Sequence, residues 1–214
     1  MHEQHPADVR RADHARPTTA ERVFAPADTL FARIRHQTAL LAAADELARE
    51  SAPQGDDSPA RWSRLLRDYA IASDRVLSVD GDAEAATLGW LKPRGIVSLL
   101  VTEECDDEHA VENLAAALAA MNAVTLTVDV ERSERLRAVV TVLSRLLPDA
   151  FIELPVHPHA HYPAIAAAAV LTEDVLYRSW APAAALTGPA TSEEDRVALM
   201  ILYGRVRQLD VRAV

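Results

Sequence analysis

An α/β fold built on a parallel sheet is what this 214-residue chain predicts, and three observations lead there. Downstream of Gly95, short apolar runs alternate with longer stretches of helical periodicity, the rhythm of strand–helix–strand units joined by right-handed crossovers. Half of the residues are hydrophobic and a quarter are charged, enough for one core with a small appended layer. Between Gly95 and Gly188 there is no glycine. The turns that close the strands therefore lack the residue that permits positive φ and lets backbone N–H groups approach a pyrophosphate. The chain has the rhythm of a nucleotide-binding sheet without its usual chemistry, and argues more against catalysis than for it.

Residues 1–24 carry charge and proline but no periodicity, and read as a disordered or loosely docked arm. Residues 25–72 read as a helical extension. Its first helix is expected over 27–50, with Leu30, Ile34, Leu41 and Leu47 at near-helical spacing. After the linker SAPQGDDSP, Ser58 suits an N-cap and Pro59 the first helical position; Trp62, Leu65, Leu66 and Tyr69 then form one face.

Residues 73–188 hold the sheet. Arg75–Val79 and Thr87–Leu91 flank the turn-rich VDGDAEA and predict a β-hairpin or two edge strands. Ile96–Val101 is expected as a buried strand, followed by a helix over Asp106–Met121 with Val111, Leu114, Ala115 and Leu118 inward. Val124–Val128 is the next strand, then a helix over Glu131–Leu147 presenting Leu136, Val139, Val140, Leu143 and Leu147. Ala150–Leu154 is the third strand, Pro163–Leu171 an alanine-rich helix and Asp174–Tyr177 a fourth strand. Residues 189–214 restart with a capping box, Thr191-x-x-Glu194, opening a helix to about Tyr203. They close on an edge strand in which Leu209, Val211 and Ala213 alternate with polar residues.

A net charge of −10 excludes a nucleic-acid partner of the usual kind, which needs a positive face. No apolar run is long enough to cross a membrane, and the polar N-terminus lacks a signal core, so a cytoplasmic location is expected. One cysteine, Cys105, excludes an intramolecular disulfide and a cysteine-rich metal site. Lys92 is the sole lysine, so lysine-based covalent chemistry would have to use it.

Three segments carry a family resemblance: PRGIVSLLV (Pro93–Val101), NLAAALAAMNAVTL (Asn113–Leu126) and LLPDAFIEL (Leu146–Leu154). They resemble the cofactor-binding half of the aldehyde dehydrogenase superfamily. There P-x-G-V-V-x-V-I leads to P-W-N-F-P, then to L-A-P-A-L-A-A-G-N-T-V-V-L-K-P and G-L-P-P-G-V-x-N-V. The preceding DGDAEAATLGWLKPRG is most similar to the lead-in of the inactive aldehyde-dehydrogenase-like domain at the C-terminus of some proline utilization A proteins. The resemblance spans roughly residues 75–180 and implies a Rossmann-like three-layer parallel sheet, with the N-terminal helical extension and an edge β-hairpin or flap around it.

The departures from the family pattern bear on function. The oxyanion asparagine falls on Glu104, whose carboxylate cannot donate the required hydrogen bond. The lysine that holds cofactor ribose hydroxyls falls on Thr127. The F-T-G-S segment is replaced by Tyr177, Arg178, Ser179 and Trp180, so its glycine is lost. The family's glutamate base and cysteine nucleophile are carried by some two hundred further residues beyond this stretch. The resemblance thus implies no cofactor, with Glu104, Thr127 and Ser179 as degenerate cofactor-site positions, and no enzyme activity.

Other constellations read less sharply. Cys105 sits among Glu103, Glu104, Asp106, Asp107 and Glu108, which suppress a thiolate, and reads as a packing residue. The same acidic run meets the positive end of a helix dipole, or alternatively a divalent cation. His157, His159 and His161 alternate in an extended segment and are a weak metal-site candidate, or three solvated side chains. Trp62, Trp90 and Trp180 read as core or interface anchors. The leading reading is a non-catalytic accessory module that assembles with itself or with an aldehyde or proline dehydrogenase subunit. Its interface would be Thr87, Trp90 and Leu91 on one edge strand and Leu209, Val211 and Ala213 on another. The alternatives are a residual NAD(H) or nucleotide sensor and a small His-rich metal-binding protein.

Overall fold

Pro59 and the absence of β-branched runs start a helix where the linker ends, and a computed structural model places that helix, α2, at Ser58–Ala72 behind α1 at Leu30–Glu50. The structure describes residues 30–50, 57–74, 78–81, 85–155, 167–186 and 188–212. The expected arm at 1–24 and the start of the first helix lie outside these residues. The N-cap of α2 is Asp57 rather than Ser58, with no side-chain capping bond. Trp62, Leu66 and Tyr69 are buried as the spacing predicts. On α1 the inward face is His36, Ala39, Leu40, Ala43, Ala44 and Leu47, while Ile34 is half exposed. The alanines let the two helices approach, and the Ser63 hydroxyl donates to the Ala44 carbonyl at 2.7 Å.

Two sheets follow. The first is antiparallel and three-stranded: β1 (Ser78–Gly81), β2 (Ala85–Pro93) and β9 (Gly204–Arg212), with β2 in the middle. The strand expected as an edge at Thr87–Leu91 is thus paired on both sides, to β1 through Thr87↔Asp80 and to β9 through Leu91↔Val206. Gly95, at φ +107°, makes the turn out of this sheet into β3.

The second sheet has six strands in the order β5-β4-β3-β6-β7-β8. Its parallel part is β3 (Ile96–Val101), β4 (Ala123–Val128), β5 (Phe151–Pro155) and β6 (Ala167–Leu171); β7 (Val175–Arg178) and β8 (Ala181–Ala185) return antiparallel. Here the structure corrects the sequence reading. Residues 167–171 of the expected helix Pro163–Leu171 form β6, in register with β3 from Val97↔Ala167 to Val101↔Leu171. Alanine's helix preference is worth only tenths of a kcal/mol per residue, about as little as strand propensities, and the open ladder beside β3 overrides it. The fourth parallel strand is therefore β6, and the strand expected from Asp174 is antiparallel. Thr172 reverses the chain, its backbone N–H and its hydroxyl reaching the Val175 carbonyl at 3.0 and 3.1 Å.

The crossover helices are α3 (Asp107–Ala119), α4 (Val130–Arg135) and α5 (Arg137–Leu146), so the single helix expected over Glu131–Leu147 breaks at Leu136. The last helix, α6 (Glu193–Tyr203), opens on a capping box between Ser192 and Asp195, one residue later than the expected pair. Both α3 and α5 pack against α1, which places them on one face of the sheet with α1 and α2 as a third layer. Inside that sandwich α3 is buried on every side from His109 to Ala119. The core runs without interruption from α1 and α2 through α3 to the sheet.

Candidate ligand crevice

In an open parallel sheet the ligand crevice lies beyond the C-terminal ends of the strands, where the strand order reverses. Here that point is between β3 and β6, and the residues around it are Thr102–Asp107 after β3, Thr172–Asp174 after β6 and Asp129–Arg132 after β4. A phosphate-binding turn offers backbone N–H groups to the crevice. Three of those in this turn are used internally. The N–H of Thr102 donates to Leu171 O at 2.9 Å, that of Cys105 to Thr102 O at 3.3 Å, and that of His109 to the Asp106 cap at 2.6 Å.

What the turn presents instead is carbonyl oxygen, and a guanidinium fills it. Arg132, only 2% exposed, enters from the first turn of α4. Its Nη1 donates to Thr102 O at 2.5 Å, its Nη2 to Glu103 O at 3.3 Å and to Cys105 O, and its Nε to Asp107 Oδ1 at 3.0 Å. Asp129, which caps α4, lies 3.8 Å away, and Arg135 holds the other oxygen of Asp107 at 2.5 Å. Burial pushes the Asp107 pKa up, but the hydrogen bonds from Arg135 and Arg132 outweigh it and hold the carboxyl below its ordinary range.

The positions singled out in the sequence fare differently. Glu104 is exposed on the rim of this turn, and Thr127, one residue from the end of β4, is buried and in register with Leu100 of β3. These two are near the crevice. Ser179 is not. It sits beside Ala168, toward the N-terminal end of β6, where its N–H donates to Ala168 O and its hydroxyl accepts from Ala168 N. Because β6 is the fourth parallel strand, the segment that follows it is Thr172–Glu173–Asp174, not Tyr177–Trp180. Cys105 is buried, and burial, reinforced by Asp106, Asp107 and Glu173 against the opposing pull of Arg132, raises its thiol to about 12.

His157, His159 and His161 lie outside the described residues; among those described no cluster of His, Cys, Asp or Glu is arranged to hold a metal ion. Trp90 is partly exposed and Leu91 half-buried on the middle strand β2. Leu209 and Val211 lie on β9, and Ala213 is outside the described residues. No described helix is long and apolar enough to cross a membrane.

Sequence reasoning missed Arg132 and the polar network beneath it. Glu112, 1% exposed, accepts from Tyr69 Oη at 3.1 Å and from the Ala190 N–H at 2.9 Å, and burial raises its pKa against both bonds. Tyr203 Oη donates to Asn113 Oδ1 at 2.8 Å. The only sequence trace of the Arg132 site is the spacing Asp129-x-x-Arg132, which reads as an ordinary helix cap.

No protein-family pattern matches this chain, and no curated protein matches it in sequence. Solved structures do. PnpE in complex with nicotinamide adenine dinucleotide aligns over 66% of this chain at 22% identity and a TM-score of 0.50, and the chain spans 33% of that protein's length. A putative aldehyde dehydrogenase from Burkholderia cenocepacia aligns over 61% of this chain and 30% of its own, at 19% identity and a TM-score of 0.46. A bifunctional proline utilization A protein aligns over 79% and 23%, at 18% identity and 0.47. At such identities the likeness is one of fold: the chain has a Rossmann-like α/β fold and spans about a third or less of these proteins.

Proposed function

We propose that this chain is a non-catalytic, aldehyde-dehydrogenase-like accessory module that works by assembly, with a second copy or with an aldehyde or proline dehydrogenase subunit. The observation that carries the reading is the guanidinium of Arg132 seated in the crevice. A dinucleotide at the C-terminal ends of β3 and β4 would have to displace a buried cation from three carbonyls and a carboxylate, and would find carbonyl oxygen where its phosphates need N–H. PnpE binds nicotinamide adenine dinucleotide; this crevice opposes that ligand on both counts.

Assembly is supported by β9. Nine residues long, it is paired with β2 on one side and has no second strand partner among the described residues. A long unpaired edge is a template for a strand of another chain. Val206 and Trp90 add partly exposed apolar surface to this small sheet. The sequence likeness over residues 75–180 makes a dehydrogenase of proline catabolism, in the cytoplasm, the partner class to test first.

Light scattering on the full chain, alone and with a candidate dehydrogenase, tests the reading alongside calorimetry with NAD. The expected result is a defined oligomer or a fixed-stoichiometry complex, lost on deleting 208–214 while the fold persists, and no NAD binding in the micromolar range. A monomer that pairs with no dehydrogenase, or tight NAD binding, would sink it.

A further inference from the structure

We propose that the carboxyl of Glu112 is a proton-operated latch: protonated and neutral, it clasps α2 and the segment entering α6 onto α3, and its ionisation releases the first turn of α6. Glu112 is 1% exposed, midway along a helix that is walled in on every side. Both bonds it makes fall on one oxygen. Oε1 accepts from Tyr69 Oη of α2 at 3.1 Å and from the Ala190 N–H, three residues ahead of α6, at 2.9 Å. Oε2 is buried with no donor among the described residues. A carboxylate spreads its charge over two oxygens and calls for donors on both; a carboxylic acid has one carbonyl oxygen that takes two donors and a hydroxyl that needs none. The acid's hydroxyl still lacks an acceptor, but a buried neutral group costs far less than a buried unpaired charge.

The surroundings offer that charge no counterion. Among the described residues no cation lies within ion-pair reach of Glu112. Arg196 of α6 gives its Nη2 to Asp68 of α2 at 2.8 Å, and Arg61 of α2 pairs with Glu108 at 3.8 Å. His109 lies one turn earlier on α3, and Tyr203 of α6 spends its hydroxyl on Asn113. Both β3 and β4 carry no titratable side chain, and His36 of α1 meets α3 only at Leu118, about 9 Å further along the helix. Burial prevails: it raises the Glu112 pKa against the two hydrogen bonds and the fields of His109 and Arg196.

What the latch holds is the near end of α6. Gly188, at φ +96°, turns the chain into the segment that Ala190 ties down. The far end is secured separately, since Arg178 and Trp180 donate to Leu202 O and Asn122 donates to Tyr203 O, so the opening is confined to the first turn. The closed state keeps a proton that the open state gives up. The latch is therefore complete below the ordinary glutamate value of 4.5 and lost as pH rises through the raised folded value. It is independent of the assembly proposed above.

The test uses the full chain and reads amide hydrogen exchange together with the sequence-assigned carboxyl carbon resonance of Glu112, from about pH 4 to 9. After correction for intrinsic exchange, opening at Ala190 and along the first turn of α6 should rise by up to about tenfold per pH unit above the ordinary glutamate value and level off past the folded one. Leu114 and Leu118 of α3 should show no such rise. The carboxyl resonance should titrate at the same raised value. Glu112→Gln keeps the accepting oxygen and cannot ionise, and should hold the first turn closed throughout. The proposal is overturned if the resonance titrates at or below the ordinary value, if protection at Ala190 does not change with pH, or if Glu112→Gln keeps the wild-type response. Should the variant fail to fold, the two wild-type measurements decide the matter.

Discussion

The two ends of the parallel sheet use arginine in opposite ways. At the C-terminal end one guanidinium meets three carbonyls and the Asp107 carboxylate, with Asp129 close by. At the N-terminal end Arg178 gives its Nη atoms to two carbonyls, Arg94 lies over the Trp180 ring, and the Nε–H groups of both have no acceptor among the described residues. The comparison teaches that a buried charge reports function through its balance rather than its presence. A fully matched cation fills its own site and leaves nothing to bind, whereas arginines that meet no described carboxylate lean on carbonyls and an aromatic face instead.

The sharpest way to break this contrast is to remove the matched cation. Arg132→Ala strands three carbonyls and leaves Asp107 with Arg135 alone, and should cost about 3 kcal/mol or more in urea unfolding. Arg132→Lys should recover only part of it, because an ammonium lacks the planar fork. A loss below about 1 kcal/mol would mean that the crevice is not held by this side chain. Next in size is Asn122→Ala, which takes the amide away from one donor, the Arg94 N–H, and two acceptors, the Ala117 and Tyr203 carbonyls, that join the Arg94 turn, α3 and the α6–β9 junction. It should cost about 2 kcal/mol in the same measurement.

The contrast also predicts different behaviour in acid. Asp107 has a pKa held below its model-compound value of 3.8, so its contribution is present above that pH and lost as pH falls through the lowered folded value. Asp107→Asn should flatten that acid limb. It should cost about 1 kcal/mol near neutral pH once solvent screening of this partly exposed group is counted. Arg205→Ala, where no described carboxylate pairs with the arginine, should leave the limb unchanged and shift stability by no more than about 0.5 kcal/mol. A smaller test concerns Met121, whose φ of +64° is unusual for a side-chain-bearing residue in the turn between α3 and β4. Met121→Gly should relieve strain of about 1 kcal/mol, less what its half-buried side chain contributes.

Much of the fold is legible in local pattern. Ile96–Val101 is a strand with the expected ends because a run of Val, Ile and Leu of that length, after Gly95, has few other uses. Residues 167–171 were not legible. AAAVL is a helix former in isolation, and becomes β6 because β3 offers an unpaired ladder that no local window can see. That one difference displaces the segment after the fourth parallel strand from Tyr177–Trp180 to Thr172–Asp174, and takes Ser179 away from the crevice. Glu104 and Thr127 keep their places, after β3 and within β4, because those strands were correctly identified.

By itself, then, the sequence determined the α/β alternation, the strand-ending turns without glycine and the acidic rim, since each depends on residues near one another in the chain. The tertiary structure alone decided that β2 is a middle strand, that Arg132 closes the crevice and that Arg94 and Arg178 come together around Trp180. Those outcomes join residues separated by 27 positions, as Arg132 and Cys105 are, or many more. A guanidinium has no periodicity to betray its partners. Its role is set by which carbonyls or carboxylates the packed backbone brings within hydrogen-bonding reach, and by the desolvation that makes their presence or absence count.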